Sequence, residues 1–271
     1  MTTVTQAVEA IVRATVDRSD AQMGEPWVWH DYDEEGLRFA LLMTHHELRD
    51  LAVRLAAQRP ARTQAAAILA QYHQAYRDLT GVLASVRDDD LDRAPSVGEW
   101  PLREMLEHML GAEHGFLAVN RFALSRHRAG TYDTQTEDDW NAFRAPYAMP
   151  KDAVAGTILD IRNAFAAQHM RSLRAMSDIT DAEIDLPAQF WEDEHMPIRF
   201  RLHRFEEHLR QHTIQLDKTQ VAIGRPPTEA HRLVRNLYNA LADVEMEPAP
   251  DEPLRAACAK IIAERAAGIA G

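Results

Sequence analysis

Residues Glu99–Leu117 read EWPLREMLEHMLGAEHGFL. At about 100° per residue, Leu102, Met105, Leu106, Met109, Leu110, Phe116 and Leu117 fall on one arc, the mark of a helix with a single buried stripe. Pro101 suits a first helical position, where its missing N–H leaves no bond unmade. The pattern predicts a helix from Pro101 to about Arg128. Its apolar stripe calls for packing against other helices.

Working outward, the same period recurs along nearly the whole chain. Residues 3–18 predict a short helix. GEPWVWHDYDEE (Gly24–Glu35) is a loop with three aromatics that feeds a helix from about Glu34 to Gln58. Ile68, Leu69, Tyr72, Tyr76, Leu79 and Leu83 mark a helix from about Thr63 to Val86. A short helix is expected near Trp140, a longer one from about Lys151 to Met176, and another from about Ile198 to Ile223. Gly224 is placed as its C-cap, ahead of Pro226 and Pro227. Two shorter helices, near Glu229–Val244 and Pro253–Ala267, complete the reading. Only 11 glycines are present, and period-two β-branched runs are missing. The expectation is an all-α protein, with four long helices between Thr63 and Ile223 forming a four-helix bundle. Residues 1–60 make an N-terminal helical extension, 61–225 the bundle, and 226–271 a C-terminal helical tail.

Composition narrows the function. The chain has 271 residues and a net charge of −12, which argues against a nucleic-acid partner. No window approaches the length of apolar sequence that a membrane helix needs, so no membrane role is expected. The single cysteine, Cys258, rules out a disulfide within the chain and suits a reducing cytosol. No signal peptide is read at the N-terminus, so a cytoplasmic location is expected. Cys258 lies in an alanine-rich helix with no histidine nearby in sequence, where it reads as a small buried hydrophobe.

RFEEHLRQHTIQ (Arg204–Gln215) places His208 and His212 four residues apart, on one face of a helix. Leu202, Phe205, Leu209 and Leu216 define that helix's core stripe. His212 lies about 20° off its edge and His208 about 60° off. Two half-buried imidazoles side by side are natural metal ligands. Thirteen histidines also produce such pairs by chance. A zincin is excluded, because Leu209 stands where the general-base glutamate would be. Candidates for a third ligand are His45, His46, His73, His108 and His114, and periodicity does not choose among them.

The opening stretch resembles the DinB/YfiT-like family signature. Trp100 opens the helix, Leu102 follows, His108 comes eight residues after the tryptophan, and Glu113 lies beyond. HLRQHTIQLDKTQVAIG (His208–Gly224) resembles that family's last bundle helix, and the likeness covers about Gln64 to Gly224. It implies a DinB-like four-helix bundle in which His108, His208 and His212 bind one divalent metal, Zn²⁺ or Ni²⁺. It also implies a small-molecule electrophile as substrate. A low-molecular-weight thiol would act as co-substrate in an S-transferase, or water in a hydrolase. Homodimerisation is a further expectation at the level of the family. Arg201, on roughly the same side as His208, is a candidate contact for a substrate carboxylate, with an ion pair to Glu104 or Asp217 as the plainer alternative. A non-catalytic metal-binding or homodimeric binding bundle stands as the other class of function.

Overall fold

Five helix starts among the described residues are set by reciprocal side-chain caps. Thr3, Ser19, Thr136, Thr157 and Thr228 each accept a bond from the backbone N–H three residues on. The side chains of Gln6, Gln22, Asp139, Asp160 and His231 return to the capping residue's own N–H. The structure, a computed structural model, describes residues 2–189, 195–248 and 251–270. Among these are ten α-helices: α1 (Val4–Thr15), α2 (Asp20–Met23), α3 (Arg38–Ala56), α4 (Gln64–Leu83), α5 (Leu102–Arg128), α6 (Glu137–Arg144), α7 (Ile158–Met176), α8 (Ile198–Ala222), α9 (Glu229–Glu245) and α10 (Glu252–Ala270). Among the described residues the chain is all-α apart from one short pair of antiparallel strands. None of the described helices is long and apolar enough to cross a membrane.

The chain divides into two compact units. The first comprises Met1–Ala61, Arg77–Val86 and Asp217–Gly271. Here α1 packs on α10 and α3 on α9. Val8, Ile11, Leu41, Leu48, Leu237 and Leu241 lie in their shared core. Arg265 is buried within this unit. It is held by both oxygens of Glu47 at 2.7 Å and by the Thr44 hydroxyl at 2.8 Å, with its guanidinium over the Trp29 ring. The aromatic loop also packs here, since Trp27 lies against the core and its indole N–H donates to the Gly268 carbonyl. Cys258 packs on the same core, and burial pushes its thiol up to about 12. At Gly81 a Cβ would sit 2.8 Å from the Arg235 Cα, so this close approach to α9 requires glycine.

The second unit comprises Arg62–Tyr76 and Arg87–Leu216. The stripe read on α5 is buried as expected, including Leu102, Met105, Leu106, Met109, Leu110 and Leu117. On α8, Leu202, Phe205, Leu209 and Leu216 are buried too. Tyr72 of α4 meets Phe205 with ring centroids 4.7 Å apart, and α5 packs along α7.

Three expectations shift. The helix placed from Lys151 begins only at Ile158. Thr157 and Asp160 cap it, and Arg103 holds the preceding turn through the Val154 and Gly156 carbonyls at 2.6 and 2.9 Å. Pro101 is the N-cap of α5 rather than its first helical residue, with an extended ψ of 162°. A two-stranded antiparallel hairpin, β1 (Pro187–Gln189) and β2 (His195–Pro197), precedes α8, with Ala188 opposite Met196. Gly224 does terminate α8. Its φ is +81°, and the Arg225 and Gly224 N–H groups bond back to the Gln220 and Val221 carbonyls, the two bonds of a Schellman turn.

Candidate metal centre

Helices α5 and α8 bring His108, His208 and His212 together. One nitrogen from each lies within 4.8 Å of the other two. The rings contact one another pairwise, with centroids 4.4 to 5.1 Å apart. Nε2 of His208 is 3.2 Å from Nε2 of His108. Two ligand nitrogens on one tetrahedral ion, each about 2.05 Å from it, lie about 3.3 Å apart, so that separation fits a shared cation with almost no movement. His108 is exposed, whereas His208 and His212 are buried.

Burial favours the neutral form of His208 and His212. Burial, reinforced by His212, His108 and Arg204, pushes His208 down to about 3. Burial also lowers His212, opposed by its bond to Gln215. Neutral imidazole is the form that ligates a metal. The His212 Nδ1 lies 2.9 Å from the Gln215 Oε1, so Nδ1–H donates there and Nε2 is the nitrogen that could ligate a cation. The Nδ1 of His208 is buried without a hydrogen-bond partner among the described residues, so no neighbour fixes that ring's tautomer.

Aromatic side chains wall the cluster. Trp100 lies 5.2 Å from His108, ring centroid to centroid. Phe116 presents an edge-on contact to His208 at 5.4 Å and another to Phe205 at 5.6 Å. Arg204 lies over the face of Phe116. Trp100 was legible in the sequence as a motif residue. Phe116 read only as core, and Arg204 was missed. Both escape periodicity because their value comes from a neighbouring helix.

The remaining candidates lie elsewhere. His73 is buried against α7, with Nδ1 2.9 Å from His169 Nε2, and Tyr76 stacks on His169. Nδ1 of His114 lies 2.9 Å from the Tyr147 carbonyl, on another face of α5. His45 and His46 are on α3, in the first unit. Glu113 is buried and bonded by the Tyr72 hydroxyl. Burial raises its carboxyl to about 8, so it is protonated at neutral pH. Asp217, expected as an alternative partner of Arg201, pairs instead with Arg235 at 2.7 Å. Arg201 lines a cavity with Tyr132 and Trp140.

No curated protein and no solved structure matches the chain significantly. The family model of the DinB superfamily matches residues 71–216, which is more than half of the chain and contains all three clustered histidines. The chain therefore belongs to the DinB superfamily.

Proposed function

We propose that His108, His208 and His212 hold one divalent metal ion, and that the protein is an enzyme acting on a small electrophile with a thiol or water as nucleophile. The observation that carries this reading is the convergence of three imidazoles from two helices at ligand-like separation. Neutral imidazole suits both Zn²⁺ and Ni²⁺. Three protein ligands leave a coordination position for a reactant, the arrangement of catalytic rather than structural sites. An ion there would act as a Lewis acid and lower the pKa of the water or thiol it binds.

The chain's own residues set the rest. Gln215 orients the His212 ring through Nδ1–H. Trp100 and Phe116 give the cluster apolar flanks that favour an apolar electrophile. Burial pushes His208 down to about 3 and lowers His212, so both favour the neutral form that ligates a metal. The test is a conjugation screen. Metal-loaded protein is offered small electrophiles with each of several low-molecular-weight thiols, and with water alone. Turnover that disappears in His208→Ala supports the proposal. Absence of metal-dependent turnover with every nucleophile leaves the non-catalytic bundle as the better reading.

A further inference from the structure

We propose that a cavity of about 530 Å³ beside Arg201 binds a small aromatic monocarboxylate, at a site separate from the three-histidine cluster. Its volume falls in the range of small-molecule sites, roughly 300–1,000 Å³. Helix α5 supplies Phe122 and Ala123, α6 supplies Trp140, the turn after α5 supplies Tyr132, and α8 supplies Arg201.

Several of the described wall residues are held by contacts of their own. Phe122 and Trp140 form an edge-to-face pair with centroids 5.4 Å apart. Arg126 on α5 ties α6 in place through Asp139 at 3.0 Å. Tyr132 stacks on His127 at 4.0 Å, and its hydroxyl lies 2.8 Å from the His195 Nδ1. Such preorganisation lowers the entropic cost of binding.

The chemistry selects the ligand. Arg201 is half-buried, and burial brings its guanidinium down to about 10, so at neutral pH it is a cation stripped of part of its water. A planar guanidinium fork pairs best with a carboxylate. Aromatic walls favour a flat apolar body behind that group. Glu137 is exposed and also lines the cavity, and its charge opposes a second carboxylate.

The site is distinct from the histidines. None of His108, His208 and His212 lines the cavity. Arg201 precedes His208 by seven residues, which is about 10 Å along the helix axis. On α5, Phe116 lies in sequence between His108 and the cavity residues and packs against His208 and Phe205. The inference therefore does not depend on a metal being bound.

The test is calorimetric titration of the full chain with phenylacetate, indole-3-acetate, phenylacetamide and succinate. The expected result is saturable binding of the two aryl monocarboxylates, with phenylacetamide and succinate weaker by on the order of tenfold or more. Arg201→Gln should weaken phenylacetate by on the order of tenfold to a hundredfold, and Arg201→Lys by less. His208→Ala and chelator treatment should leave the affinity unchanged, whatever they do to metal content. Three results would overturn the proposal. One is no binding of either aryl carboxylate by the unaltered chain. Another is equal affinity for phenylacetate and phenylacetamide. The last is loss of carboxylate binding on chelation, which would put the carboxylate on the histidine cluster instead.

Discussion

Replacing Glu113 with glutamine should change how the stability of this protein depends on pH. The Glu113 side chain is 2% exposed and meets the Tyr72 hydroxyl. Burial lifts its pKa from 4.5 to about 8, against the opposing effect of the Tyr72 bond. The folded chain therefore holds this proton to higher pH than the unfolded chain does. Stability from the group is fully present below about pH 4.5 and is lost as pH rises through about 8. The gap corresponds to roughly 5 kcal/mol when fully expressed. Glu113→Gln keeps the shape, can still accept from Tyr72 through its amide oxygen, and never ionises. Urea unfolding at pH 5 and pH 9, followed by circular dichroism, reads the difference. The variant and the parent should be close at pH 5. At pH 9 the variant should be the more stable by roughly 4 kcal/mol, the part of the gap lying between those two pH values. An offset that is the same at both pH values would refute the buried-carboxyl reasoning.

Other perturbations probe other parts of the chain. Gln215→Leu removes the acceptor that orients His212 and should weaken metal affinity about 10–100-fold with little change in fold, read by competition with a chromogenic chelator. Gly81→Ala forces a methyl to within 2.8 Å of the Arg235 Cα and should cost about 1–3 kcal/mol in urea unfolding, because backbone cannot yield as a flexible side chain can. Glu47→Ala strands the buried Arg265 charge and should cost about 3 kcal/mol or more, whereas loss of an exposed pair such as Arg54–Asp50 should cost under about 1 kcal/mol.

Helix identity was legible because the apolar stripes on α5 and α8 are long and regular, and the same stripes are buried in the structure. Helix starts were less so. The start at Ile158 depends on a cap at Thr157 and on Arg103 reaching across from α5, a contact that no local pattern announces. The hairpin before α8 escaped because three-residue strands bounded by Pro187 and Pro197 carry no alternating run. Partnering within the first unit was hidden as well. Helices α1 and α10 come from opposite ends of the chain, and periodicity marks a face without naming what covers it.

The cluster shows the same division. His208 and His212 were visible as a pair at the edge of a stripe. They are buried because His108 and Phe116 pack there from α5. His108 itself is exposed and off its helix's apolar arc, so only the family resemblance singled it out. Arg201 lies on nearly the same side of α8 as the two histidines, yet it opens onto a different cavity. Helical angle alone cannot distinguish two sites stacked along one helix.

Metal content of the purified chain tests the three-histidine centre most directly. Elemental analysis after gel filtration should find about one Zn²⁺ or Ni²⁺ per chain, the stoichiometry of a single three-ligand site. His108→Ala, His208→Ala and His212→Ala should each lose most of it, while His73→Ala, altered at the separate His73–His169 pair, should keep it. Full metal content in any of the three clustered variants would contradict the assignment.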